Sequence, residues 1–201
     1  MSTNTNTTNR SYPLPYPSNL LAVDVLRLRD ALIAIDADMA ARLDAMISLG
    51  TQQATTSGTF KDFTAIPSWA RQITVAFSSV STNGTADLLV QLGTGGTPTT
   101  SGYTGHSAFF SNAGAGSITS GDGIPVFSND PGFLHFGHLT FLNVDGNDWV
   151  ASGQLATGGT YQGAVVSSGV IQLSGVLDNL RVLTANGTDA FDAGSVNIAW
   201  Q

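Results

Sequence analysis

The chain has 201 residues, of which 42% are hydrophobic and only 10% charged, against roughly 25% charge in an ordinary soluble domain. Its acids are all Asp, Lys61 is the only lysine, and the net charge of −7 repels a phosphate backbone and argues against nucleic-acid binding. Cysteine is absent, which removes disulfides, thiolate chemistry and cysteine-based zinc sites together.

No apolar run is long enough to span a bilayer, so membrane insertion is not expected. The polar opening, residues 1–10, lacks the apolar centre of a signal peptide. The length suits one sizeable domain plus an appendage. With 23 glycines and dense Ser and Thr, the composition fits a turn-rich β protein inside a larger assembly. Its stability then has to come from packing and oligomerisation.

Residues 1–17 read as an extended N-terminal segment. Tyr12, Pro13, Leu14, Pro15, Tyr16 and Pro17 alternate proline with bulky side chains, which forbids helix and favours an extended, stiff strand. Such a strand loses little entropy on docking and serves as an anchor, or else as a plain linker into the next element. Ser18 is a good helix N-cap and Gly50 a natural C-cap, so residues 18–50 read as one helix of about 45 Å.

Within that helix Leu21, Val25, Leu28, Leu32, Ile35 and Met39 are spaced four, three, four, three and four apart, the seam of a coiled coil. Leu32 and Ile35 occupy core positions where those side chains favour three or four strands. Arg42 then falls on the expected seam position, and Leu43 followed by Met46 takes over after a four-residue phase change, a stutter. Asp24 and Arg29 fall where neighbouring helices can pair, with Arg27 an intrahelical partner for Asp24. A second stripe, Leu26, Ile33, Ala40 and Ile47, recurs every seven residues and needs a further covering surface. The expectation is a helical stalk in a homotrimer; an amphipathic helix packed on its own domain needs only the same stripe.

Residues 51–58 are polar and read as a linker. From 59 to 201 the texture is β throughout. Ile73, Val75 and Phe77 alternate with polar or small residues, as do Leu88, Val90 and Leu92. Asn83-Gly84, Asp145-Gly146 and Asn186-Gly187 are hairpin-turn signals between apolar runs. Eight to ten short strands at this spacing imply a β-sandwich, most naturally a jelly roll. The fold class expected is therefore mostly β: a jelly-roll-like sandwich behind one long N-terminal helix.

Tyr12-Pro13-Leu14-Pro15, Asn19-Leu20-Leu21, the run from Asp24 to Leu32, and Ile35-Asp36 together resemble the N-terminal attachment segments of phage tail-fibre proteins. The runs opening at Phe63 and at Val80, Asn147-Asp148-Trp149, and the run from Asp189 to Ile198 are similar to the β-sandwich domain of phage fibre and tail proteins. The likeness is collinear from Ser11 onward. It implies a trimeric virion protein, attached through its N-terminus to other virion proteins, made in the bacterial host cytoplasm, with the C-terminal domain projecting outward. The chain departs from that pattern in having no long repetitive shaft, which leaves a short fibre, a head appendage and a capsid decoration or cement protein all open.

Chemistry was sought at the acids and histidines. Asp122, Asp130, Asp145, Asp148, Asp178, Asp189 and Asp192 sit mostly in Gly/Asn-rich turns, where Asp caps backbone amides, rather than as the paired carboxylates of a hydrolytic tail spike. His135 and His138 are three apart, so a regular strand sends them to opposite faces. No catalytic residue, metal ligand or cofactor is expected, and the chain is read as a non-enzyme. Any contact with a host-surface glycan or protein is expected from a long loop, 93–130, carrying Tyr103, His106, Phe109 and Phe110, unless the two phenylalanines belong to a strand and fill the core.

Overall fold

The structure is a computed structural model that describes residues 5–44, 46–111, 114–160 and 162–201, without the side chains of residues 42–44. The chain divides into two units, Met1–Ile47 and Ser48–Gln201.

In the first unit, β1 (Thr5–Asn6) and β2 (Pro13–Leu14) form a small antiparallel pair, followed by α1 (Leu21–Asp44). The expected helix over 18–50 is thus shorter at both ends. At its start the Asn19 amide donates to Tyr16 O at 2.9 Å, making a turn. The Val23 and Asp24 amides return to Leu20 O at 2.9 and 3.2 Å, so the helix springs from Leu20 rather than Ser18. At its far end Gly50 is no cap: its amide donates to Ile198 O at 2.8 Å, because the chain is already in a sheet by then.

The N-terminal segment is not an open strand. The Thr7 amide donates to Tyr12 O at 2.8 Å, and the hairpin lies along α1. The Arg27 guanidinium donates to the carbonyls of Leu14 and Thr5, while the Tyr12 hydroxyl and the Arg10 guanidinium meet the Asp38 carboxylate. From Arg27 to Asp38 a helix rises about 16 Å, and the strap covers that length on the side of Ala31, which is buried.

The second unit is antiparallel β throughout. Its strands are β3 (Ser48–Leu49), β4 (Gln53–Ala54), β5 (Phe60–Thr64), β6 (Gln72–Thr82), β7 (Leu88–Thr94), β8 (Thr97–Pro98), β9 (Thr104–Ser111) and β10 (Gly114–Ser120). There follow β11 (Ile124–Val126), β12 (Phe133–Asp145), β13 (Asp148–Gly159), β14 (Gly163–Gln172), β15 (Leu177–Thr184) and β16 (Phe191–Trp200). The larger sheet runs β10-β9-β14-β13-β12-β6-β16-β3, with β4 also on β16; the smaller runs β11-β7-β15-β5, with β8 on β7. Because side chains alternate along each strand, Ile73, Val75, Phe141, Leu155, Val165 and Ile198 of the larger sheet point inward. They share one hydrophobic cluster with Phe63, Val90, Leu92, Leu180 and Val182 of the smaller.

Pairing is nested. β6 pairs with β16, β7 with β15, β9 with β14, and β12 with β13. Of the three expected hairpin turns, only Asp145-Gly146 joins neighbouring strands. Asn83-Gly84 and Asn186-Gly187 instead carry the chain from one sheet to the other, and they dock together. The Ala190 amide donates to Asn83 Oδ1 at 2.9 Å and the Ala86 amide to an Asp189 carboxylate oxygen at 2.8 Å. A Cβ on Gly84 would lie 2.1 Å from the Asp189 carboxyl carbon, so a larger residue here has to displace that carboxylate from the corner.

The expected linker over 51–58 belongs to the β unit. β4 pairs with Ser195 and Val196 of β16, where the register shifts on either side of Ala193. Gly194 holds φ +85°, and a Cβ there would meet Ser79 O at 2.3 Å. The carbonyls freed by this bulge are taken by Thr55, which is fully buried: its amide donates to Gly194 O at 2.9 Å and its hydroxyl to Ala193 O at 2.7 Å. Polar composition suggested a linker because Thr55 looks like any loop threonine until its partners are known. Thr55→Val, which keeps the shape and removes the donor, is expected to lower the unfolding free energy by about 1 kcal/mol. Gly194→Ala is expected to cost about 1–3 kcal/mol through backbone strain; denaturant unfolding of both variants measures each effect.

Candidate functional site

The apolar seam of α1 is exposed along its described length. Leu21, Val25, Leu28, Leu32, Ile35 and Met39 are all exposed, Leu21 at 80% and Leu32 at 58%, and Met46 beyond the helix is 65% exposed. Leu43 of the expected seam lies outside the described side chains. The strap lies beside this seam, roughly a quarter turn round the helix. It occupies the face defined by Asp24, Arg27, Ala31, Ala34 and Asp38, which is small or polar and fully or partly buried. The second stripe, with Leu26, Ile33 and Ile47, is exposed as well.

The geometry follows from the residues. Asp24 sits in the first turn, where a carboxylate offsets the positive end of the helix dipole, and accepts from the Tyr16 amide at 3.2 Å and Asn19 Nδ2 at 2.9 Å. The side chain expected to pair across helices is therefore also engaged by the strap. Arg29 lies 3.6 Å from Asp30 on the exposed surface. Of the anchor residues Tyr12, Pro13, Leu14, Pro15, Tyr16 and Pro17, the large apolar Leu14 and Tyr16 remain exposed.

The host-contact loop expected over 93–130 is largely strand, from β8 to β11, and its four marked residues separate. Tyr103 is buried; its hydroxyl accepts from the Leu92 amide at 2.7 Å and donates to Leu92 O at 3.1 Å, and burial raises its pKa. Phe109 is buried too, stacked on Phe127 at 5.7 Å and edge-on to Phe133 at 5.0 Å. His106 and Phe110 point the other way and line a shallow concavity of about 330 Å³ with Ser117, Thr119, Val166 and Ser168. A strand splits residues that a loop would have presented together.

Three of the seven candidate acids, Asp178, Asp130 and Asp189, serve the backbone. Asp178 accepts the Gly96 amide at 3.0 and 3.1 Å, and Asp130 the Gly132 amide at 2.7 Å. Asp189 accepts the Ala86 amide, and its pKa is lowered chiefly by hydrogen bonding with Asn186 and Ala86. The two histidines take opposite faces: His138 is exposed and His135 is buried.

His135 lies on β12 between Val80 of β6 and Thr157 of β13, stacked on Phe133 at 5.6 Å. Neither ring nitrogen has a hydrogen-bond partner among the described residues. Burial lowers its pKa from 6.5 to about 4, since an imidazolium there would be desolvated with nothing to compensate it. No sequence signal marked this site, because a strand histidine reads the same whichever way it faces until the register is known.

The sign of the pH effect follows from that shift. Above pH 6.5 His135 is neutral folded and unfolded; as pH falls the unfolded chain takes up the proton first. Its stability contribution therefore falls between pH 6.5 and about 4 and levels off below. Denaturant unfolding across this window should show a decline that is much reduced in His135→Leu. No protein-family model matches the chain, and no curated protein matches it.

Proposed function

We propose that the chain is a non-enzymatic phage virion protein: a homotrimeric short tail-fibre or appendage subunit. In this reading α1 is the stalk, the N-terminal segment attaches to other virion proteins, and the β unit is a jelly-roll head. The observation that carries the reading is the exposed seam of α1. Leaving six large apolar side chains in water on one stripe is costly, at roughly 1.5–3 kcal/mol for each fully buried leucine-sized group forgone. The spacing of that stripe matches knobs-into-holes packing with parallel copies, and the strap leaves it open by lying roughly a quarter turn round the helix from it.

The head reading is supported by nested pairing of β6–β16, β7–β15, β9–β14 and β12–β13, the pattern that results when a long antiparallel ribbon rolls up. It differs from two equal four-stranded sheets in keeping the β12–β13 hairpin inside the larger sheet. Attachment is supported by Leu14 and Tyr16, which stay exposed on a strap already ordered by Arg27 and Asp38. An ordered strap loses less entropy on docking than a free tail.

Sedimentation at micromolar concentration is expected to give three times the chain mass of 20.8 kDa. Leu32→Asp places a carboxylate from each copy in one core layer, a loss of at least about 3 kcal/mol per unpaired buried charge, and is expected to yield monomers. A concentration-independent wild-type monomer would remove the stalk from the reading. Cross-linking from Tyr16 within assembled particles then distinguishes a tail or neck partner from a capsid one.

A further inference from the structure

The two outer sheet surfaces of the β unit differ in charge. The smaller sheet carries a bidentate pair on its outer side, Arg181 to Asp62 at 2.6 and 2.7 Å, with the guanidinium 4.1 Å over the Phe60 ring. The larger sheet has nothing comparable. Its six adjacent strands β10, β9, β14, β13, β12 and β6 contain no Lys or Arg, and their only acids, Asp145 and Asp148, stand at the β12–β13 turn.

Alternation sends one set of side chains from these strands into the core and the other outward. The outward set includes Phe110, Phe136, Leu142, Val150, Val166 and Val170, each at least 36% exposed. Between them runs a hydroxyl row in register across four strands, Ser168, Ser152, Thr140 and Thr74, with Thr74 and Thr140 Oγ1 atoms 3.2 Å apart. His106, His138 and Gln154 face outward as well, so the large apolar side chains are interleaved with polar ones while Lys, Arg and the acids are kept to the edge, as in the charge-depleted centre of an interface.

We propose that this outer face is an interface, and that its occupant is another copy of the chain. Charge selects that occupant. With a net charge of −7, copies repel wherever their acids face each other, and this surface is where two of them can approach without opposing carboxylates. A strongly charged partner would instead leave its own charges desolvated and unpaired against a face that has none to offer. Extent agrees: six strands at about 4.8 Å spacing and some eight residues long present on the order of 700 Å² of sheet surface, close to the roughly 800 Å² per partner of a stable interface. Two such faces can pack as sheets do, about 10 Å apart with side chains interdigitated. The inference deepens the self-assembly reading and relies on α1 to hold copies close.

The test uses the full-length chain. Ser152→Arg sets a cation at the centre of the face, and Ser152→Cys places the chain's only thiol there, with Ser174→Cys as an exposed control. Ser152→Arg is expected to raise the concentration needed for assembly at least about tenfold. In assembled protein the Ser152→Cys thiol should react with a maleimide at least about tenfold more slowly than the Ser174→Cys thiol, and this protection should vanish in the Leu32→Asp background. Labelling needs no assumption about whether the arginine variant folds, so it decides the matter if that variant does not.

An assembled chain whose Ser152→Cys thiol labels as fast as the control overturns the interface and leaves the stalk standing. Protection that persists in a Leu32→Asp monomer means the chain covers its own face, which also overturns it. Protection appearing only when another virion protein or a polysaccharide is added assigns the face to that partner and overturns the copy-to-copy contact. If Leu32→Asp still assembles and Ser152→Arg does not, the face holds and the stalk falls. A wild-type monomer removes both.

Discussion

The β unit depends on the ladder between its first long strand and its last. β6 and β16 pair from Thr82–Phe191 to Ile73–Trp200, and beyond them the Arg71 and Gln72 amides both donate to Gln201 O. Closing this pair brings together residues more than a hundred positions apart, a loop-closure cost that only the shared core can offset. The rest follows from it. β7 and β15 must pair in the other sheet once the corners at Asn83-Gly84 and Asn186-Gly187 have carried the chain across. The bulge in β16 and the buried Thr55 that satisfies it lie on the same ladder.

Scarcity of charge shapes the surfaces of both units. Of seven basic residues, Arg27 fastens the strap to α1, Arg10 reaches Asp38, and Arg181 pairs with Asp62. The strap takes the small and polar side of the helix, where Ala31 lets backbone approach closely, and the large apolar side chains stay free. In the larger sheet the same scarcity yields an outer face of Ser and Thr mixed with Val, Leu, Phe and His.

His135 shows the cost of a close-packed interior. Its ring stacks on Phe133 beside the Phe109 and Phe127 cluster, filling volume while leaving two nitrogens without partners among the described residues. A hydrocarbon side chain there would avoid that polar penalty. The packing accounts for the ring's shape, though not for its nitrogens.

Much of the architecture was legible before any coordinates. Residues 18–50 read as helix because six apolar side chains repeat at helical spacing, though the helix itself spans only Leu21–Asp44, and β6 and β7 read as strands because theirs alternate; both periods belong to local backbone geometry. Asp145-Gly146 closed a hairpin as its turn chemistry implies. What pattern alone could not supply was partnership. Asn83-Gly84 and Asn186-Gly187 carry the same turn signal but span two sheets. Thr55 looked like linker yet is a fully satisfied core residue, and Phe109 and Phe110 looked alike but face opposite ways. The strap's place on α1 rests on Arg27 meeting two carbonyls from distant residues. Sequence thus determined which residues would be helix, strand or turn, since that depends on near neighbours. Tertiary structure alone decided which faces are covered and which are left bare, since burial depends on residues a hundred positions away.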